Sequence, residues 1–196
     1  MNDRLLGFLA GKNLQLRKMD SEHYIDFFDC GRDAALTKWF CDTALRWQNE
    51  DMCTVWVLSR ANNATDAVGF FTLPAHQIIP GNVAKNERAT QPINKPWVNG
   101  LLQPFPAQLL GKFALDQSEQ GKGVGAVLML CAYAKHVEVA DVSGAKFLVL
   151  DARGDKLSSY YCERYGFARS GLAGEMAQMY RPTSAIRAEL EAALDS

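Results

Sequence analysis

The chain has 196 residues, 48% of them hydrophobic and 22% charged, with a formal net charge of -1. That length and apolar content suit one compact α/β domain with a real core and are too small for two ordinary domains. The near-zero charge argues neither for nor against a polyanionic partner, so any nucleic-acid contact would need a local basic patch, and no apolar run reaches the ~20 residues of a membrane-spanning helix.

The segment Leu5-Leu6-Gly7-Phe8-Leu9-Ala10-Gly11 is short for a secretory leader, and Asp3 stands where such a leader would be basic. A cytoplasmic protein is therefore expected. A first strand is predicted at Asn13–Lys18, where Leu14 and Leu16 alternate with polar residues. Ser21-Glu22-His23-Tyr24 resembles a helix start. A second helix is predicted from Asp33, with Leu36, Trp39, Phe40, Ala44 and Trp47 on one side. Cys53–Arg60 reads as a strand, Asn62-Asn63 as a turn, and Ala67–Leu73 as the returning hairpin strand. Pro80–Pro106 has no sustained periodicity and reads as a long functional loop holding Lys85, Arg88, Lys95 and Trp97.

Ala107–Asp116 is predicted to be a central strand, followed by a helix over Gly123–Val139 with Val124, Val127, Leu128, Cys131 and Ala134 in one stripe. Ala145–Ala152 is an apolar run of the kind found in buried strands. A helix is predicted over Asp155–Arg164 with Gly166 as its stop, then a strand pair at Phe167–Ser170 and Ala177–Arg181. Pro182–Leu194 closes the chain as a helix capped by Thr183 or Ser184. Its apolar face, Ile186, Leu190 and Leu194, suits either the core or a homodimer contact, and its acid-rich polar side does not suit a membrane. Strand, helix and strand over 107–152 form one crossover unit.

The five cysteines, Cys30, Cys41, Cys53, Cys131 and Cys162, match no zinc spacing and read as reduced packing thiols. The three histidines, His23, His76 and His136, form no ligand set, so no metal is expected.

The chemistry concentrates in Leu115-Asp116-Gln117-Ser118-Glu119-Gln120-Gly121-Lys122-Gly123-Val124-Gly125-Ala126. A strand ends, and a glycine-rich turn opens a helix. Glycines let backbone N–H groups converge on one point, and the helix N-terminus adds positive potential. Such a nest suits a phosphate or pyrophosphate. The spacing is neither G-x-x-x-x-G-K-[ST] nor G-x-G-x-x-G.

Gln120-x-x-Gly123-x-Gly125-Ala126 resembles the Q/R-x-x-G-x-G/A signature of the GNAT N-acetyltransferases. Glu163-Arg164-Tyr165-Gly166-Phe167 resembles that family's FYERxGF signature. The resemblance covers about Cys30 to Arg181. It implies an α/β GNAT fold: a mixed, mostly antiparallel central sheet flanked by helices, with splayed central strands that bind acetyl-CoA. It also implies that Gln120, Gly121, Lys122, Gly123, Val124, Gly125 and Ala126 hold the pyrophosphate. Backbone N–H groups at Phe113, Ala114 and Leu115 would stabilise the oxyanion formed when an amine attacks the thioester. A narrower likeness is to the GNAT toxins of toxin–antitoxin systems. Phe28-Asp29-Cys30-Gly31-Arg32-Asp33-x-x-Leu36-x-x-Trp39 resembles their F-x-C-G-x-x-x-L-x-x-W opening, and Pro106–Asp116 resembles their P-x-x-x-L-G-R-L-A-V-D. That likeness implies acetylation of aminoacyl-tRNA and an antitoxin partner. The wider family leaves a small amine or protein amine as acceptor, or an acetyl-CoA-binding module of little activity.

The chain departs from the family at the general acid. The tyrosine of FYERxGF aligns with Cys162, with Tyr161 in the Phe slot and Tyr160 before it. Cys162 as the acid, Tyr161 brought round by a helix irregularity, and neither residue all remain open. Asp116 suits a turn or cap better than a base. A tRNA would need a basic surface, for which Lys85, Arg88, Lys95, Lys112, Lys122, Arg153 and Arg164 are the candidates.

Overall fold

A computed structural model describes residues 2–23, 25–79, 82–84, 97–98, 101–102, 104–171 and 176–195. Lys85, Arg88 and Lys95 lie outside them, as does Tyr24. The described chain falls into two compact units. One comprises Met1–Pro74, Leu110–Lys135 and Leu190–Ser196; the other comprises Ala75–Leu109 and His136–Glu189.

The first unit opens with helix α1 (Asn2–Ala10), which buries Leu5 and Leu9. The four-residue spacing of its buried leucines is the helical signal in a segment too short for a secretory leader. Strand β1 (Leu14–Lys18) follows as expected. Ser21–His23 forms a turn instead of a helix start. The Asp20 carboxylate accepts the Glu22 N–H at 3.0 Å and contacts His23 Nδ1 at 2.9 Å, a local closure that competes with helix. Asp33 caps α2 (Ala34–Asp42) by accepting the Leu36 N–H at 3.0 Å. The predicted long helix breaks at Thr43 into a second piece, α3 (Ala44–Asn49). Buried Gln48 on α3 donates to Met19 O at 2.5 Å and accepts the Val55 N–H at 3.0 Å.

Strands β2 (Val55–Arg60) and β3 (Asn63–Thr72) form the predicted hairpin. With β1 and β8 (Phe113–Leu115), they make an antiparallel sheet in the order β1-β2-β3-β8. Its core stacks Phe40 on Phe70 with centroids 3.9 Å apart, and Phe28 meets both edge-on.

The second unit holds a five-stranded sheet in the order β10-β11-β9-β7-β4. Its members are β4 (Ala75–Ile78), β7 (Phe105–Leu109), β9 (Phe147–Arg153), β10 (Ala168–Arg169) and β11 (Met176–Pro182). Within the loop read from Pro80 to Pro106, β5 (Trp97–Val98) pairs with β6 (Leu101–Leu102). Phe147 packs edge-on against Phe105 and Tyr180.

The predicted strand Ala107–Asp116 is two strands in two different sheets. Strand β7 runs parallel to β9 as far as Leu109 opposite Val149, whereas β8 runs antiparallel to β3. Thr72 holds the break between them. Its carbonyl accepts the Gly111 N–H at 3.2 Å, and its hydroxyl accepts the Lys112 N–H at 3.0 Å. Residues of β9 beyond Val149 pair only on the β11 side.

Helix α4 (Val124–Ser143) joins β8 to β9. It is not confined to one buried stripe as expected: every residue from Cys131 to Val137 is buried, Lys135 and His136 included, so this stretch is enclosed nearly all round. At its first turns it approaches Gly69, where a Cβ would lie 2.7 Å from the Leu115 side chain, 3.0 Å from Ala114 O and 3.2 Å from the Leu128 side chain. Helix α5 (Gly154–Tyr165) ends at Gly166, whose φ of 64° is left-handed. The Gly166 N–H bonds Cys162 O and the Phe167 N–H bonds Tyr161 O, as a glycine stop requires. Helix α6 (Thr183–Leu194) buries Ile186 and Leu190 in the core. Thr183 does not cap it through its hydroxyl, which bonds Ala145 O at 2.6 Å. Among the described residues no helix is long and apolar enough to cross a membrane.

Candidate functional site

The turn between β8 and α4 is built by its own side chains. Asp116 Oδ1 accepts the Ser118 N–H at 2.9 Å and the Ser118 hydroxyl at 2.6 Å, closing a 3-10 turn over Gln117–Glu119. This is the capping role expected of Asp116. Burial would raise its pKa, but hydrogen bonds from the Asp29 N–H and from Ser118 win and hold the carboxyl below its ordinary value. Gln120 Nε2 donates to Cys30 O at 3.0 Å and to Leu115 O at 3.3 Å. The Gln120 side chain therefore ties the loop down.

Gly121 and Gly123 have φ of 76° and 81°. A Cβ at either would meet nothing within 4 Å, so the backbone conformation calls for glycine there, not a lack of space. Gly125 has no positive φ, and its Cβ would sit 3.5 Å from Leu115 Cδ1, an ordinary contact. Among the described residues, the N–H groups of Gly121, Lys122, Gly123, Val124 and Gly125 find no acceptor. The Ala126 N–H is taken by Gly123 O at 3.1 Å. Unmatched donors at the head of a 20-residue helix favour an anion. Beside them, Glu119 pairs with Arg60 at 2.5 Å and with the exposed Lys122 at 3.7 Å.

The β8 backbone has a defined polarity. The Asp116 N–H bonds Val68 O and Lys112 O accepts the Thr72 N–H, so alternation turns residues 112, 114 and 116 toward β3. Phe113 and Leu115 therefore direct their N–H and C=O groups off the sheet edge, while Ala114 faces its neighbour. Lys112 Nζ lies 5.5 Å from the centroid of the Trp39 ring.

Tyr161 and Cys162 stand on the last turns of α5, in the second unit. Tyr161 packs against Tyr160, Tyr165 and Phe167 with centroids 5.7, 6.0 and 5.9 Å apart. Burial, with a smaller contribution from Tyr160, pushes its pKa up to about 12. Its hydroxyl has no hydrogen-bond partner among the described residues. Cys162 is half-buried and reduced. No bulge separates the two, so they diverge by the ~100° of adjacent helical positions.

The first unit thus gathers Phe113, Ala114, Leu115 and Gln120–Ala126. Arg153 and Arg164 are exposed on the second unit. Two contributors escaped the sequence reading: Asp29 and Gln117, joined by a hydrogen bond of 3.0 Å. An aspartate two residues before Gly31 is an Asx-turn signal that could have pointed to Asp29.

No family model matches the sequence. A tRNA-acetylating toxin of Mycobacterium tuberculosis is 31% identical over 98 residues, 48% of this chain and 51% of the toxin. The chain thus matches about half the length of that curated relative. A tyrosine-to-phenylalanine mutant of KacT superposes with a TM-score of 0.76 at 21% identity, covering 90% of this chain and 99% of that one. AtaT complexed with acetyl-methionyl-tRNAfMet superposes with a TM-score of 0.76 at 22% identity, covering 90% and 98%. An AtaT mutant bound to the C-terminus of the antitoxin AtaR and to acetyl-CoA gives a TM-score of 0.70 at 22% identity, again covering 90% and 98%. The fold is that of the GNAT acetyltransferases.

Proposed function

We propose that the chain is an acetyl-CoA-dependent N-acetyltransferase acting as a single domain in the cytoplasm. Its acceptor would be the amino group of aminoacyl-tRNA, which makes it a translation-inhibiting toxin with an antitoxin partner. The observation that carries the reading is the row of unmatched N–H groups from Gly121 to Gly125 at the head of α4. They suit the diphosphate of acetyl-CoA, with the exposed Lys122 close by as a cation. The acceptor class follows the toxin-like opening motif and the likeness to a tRNA-acetylating toxin. Among the described residues, Lys112, Lys122, Arg153 and Arg164 supply positive charge for a tRNA backbone.

Acetyl-CoA supplies an activated thioester. The edge N–H groups of Phe113 and Leu115 are the chain's donors for the oxyanion, and losing one such donor typically costs ~10²–10³ in rate. The ester of an aminoacyl-tRNA makes its amine unusually acidic, so the chain needs no dedicated base. The Tyr161 phenol stays protonated through the neutral range, as a proton donor to the departing thiolate must, and its place in the last turns of α5 before Gly166, not a bulge, is what would bring it to that thiolate. Tyr161→Phe is expected to slow turnover by ~10², and Cys162→Ser by less than tenfold. Equal or reversed losses in steady-state assays would remove Tyr161 from that role.

The deciding experiment offers labelled acetyl-CoA to the purified protein with charged tRNA, a lysine peptide and spermidine. Label on the aminoacyl group of tRNA supports the reading. Label on the peptide or polyamine alone moves the acceptor to protein or small amines. Tight acetyl-CoA binding without transfer makes the chain a binding module.

A further inference from the structure

The toxin-like opening and the glycine-rich loop, far apart in sequence, are bonded to each other. Asp29 makes most of the join. Its N–H donates to Asp116 Oδ2 at 3.0 Å, its carbonyl accepts the Gln117 N–H at 2.7 Å, and its Oδ2 accepts Gln117 Nε2 at 3.0 Å. Its Oδ1 accepts the Gly31 N–H at 2.7 Å, shaping the segment whose next carbonyl, Cys30 O, receives Gln120. Gly31 takes a φ of 81°, and its Cβ position lies 3.7 Å from Gln117, so the segment lies directly against the loop.

We propose that Asp29 is a positioning residue for the anion-binding loop. It holds the turn at 116–120 in the arrangement that leaves the N–H groups of Gly121–Gly125 without acceptors among the described residues. An exposed run with two left-handed glycines has many competing conformations, and ordering it on binding would weaken affinity. The Asp29 bonds order it beforehand. Both side-chain oxygens of Asp29 accept N–H donors, Oδ1 from Gly31 and Oδ2 from Gln117, so the position needs a short side chain with two hydrogen-bonding arms. The proposal rests on the reading that this loop holds acetyl-CoA.

The test compares Asp29→Ala, Asp29→Asn and Gln117→Ala with the unaltered protein, by acetyl-CoA calorimetry, steady-state kinetics and hydrogen exchange without ligand. Asp29→Ala is expected to weaken acetyl-CoA binding about tenfold, as losing charge-assisted hydrogen bonds would, with the loss in KM for acetyl-CoA and not in kcat. Amides of 118–125 should exchange about tenfold faster while those of 131–137 stay unchanged. Gln117→Ala, on an exposed side chain, should weaken binding about threefold. Asp29→Asn should stay within about twofold of the unaltered protein, because the asparagine oxygen can accept from Gly31 and a flipped Gln117 amide can accept from its NH₂. The idea falls if Asp29→Ala leaves both affinity and loop exchange as they were. It also falls if Asp29→Asn is as weak as Asp29→Ala, or if exchange accelerates equally over 131–137. If the unaltered protein binds no acetyl-CoA, the reading of the loop fails, and the exchange comparison still decides whether Asp29 orders it.

Discussion

Helix α4 begins and continues in opposite ways. At its head, the N–H groups of Gly121–Gly125 find no acceptor among the described residues, and two glycines hold left-handed backbone. A few turns on, His136 is fully buried with both nitrogens engaged, Nδ1 to the Gln108 amide at 2.7 Å and Nε2 to Thr183 Oγ1 at 2.9 Å. With the Thr183 hydroxyl donating to Ala145 O, His136 donates from Nε2, and a neutral ring then requires the Gln108 amide turned so that its NH₂ takes the place of the Oε1 that stands 2.7 Å from Nδ1. Burial, with Arg187 nearby, lowers the imidazole pKa to about 4, which keeps the ring neutral. The first site leaves polar groups unmatched in the open, where a ligand can take them. The second leaves none unmatched in the core, where each would cost stability. One helix therefore separates binding from stability along its length.

That separation can be broken at either end. The largest effect is expected from His136→Ala, which strands Gln108 and Thr183 and opens a cavity. It should cost roughly 3–5 kcal/mol in denaturant unfolding without weakening acetyl-CoA binding by the folded fraction. A change of affinity would show that the two sites are coupled. Next comes pH. The folded pKa of about 4 lies below the ordinary 6.5, so the unfolded chain binds the extra proton between those values. The His136 contribution is complete above pH 6.5 and fades as pH falls toward 4, by about 3 kcal/mol. That slope should vanish in His136→Gln.

Gly123→Val imposes ~1–3 kcal/mol of strain on the loop conformation, expected to weaken acetyl-CoA binding about 5- to 150-fold with little change in melting temperature. Gly125→Ala should be the mildest, within about twofold in affinity, because its φ is ordinary and its neighbour is 3.5 Å away. A loss as large as that of Gly123→Val would mean that the ligand approaches Gly125 more closely than Leu115 does.

The elements that were legible are those whose cause is local. The Asp33 cap, the Gly166 stop, the β2–β3 hairpin and the glycine-rich turn each rest on residues within a few positions of one another. What misled was also local in appearance. Ala107–Asp116 is one continuous apolar run, yet Thr72, some forty residues earlier in the chain, divides it between two sheets. Ser21–His23 has the residues of a helix start, yet Asp20 closes them into a turn.

The sequence by itself determined the kind of site: glycine spacing dictates where the backbone can turn left-handed and expose its N–H groups before a helix. Only the tertiary structure decided what holds that site in shape. Asp29, Thr72 and His136 act through partners dozens of residues away, and a hydrogen bond across such a span leaves no period or motif in the chain that makes it.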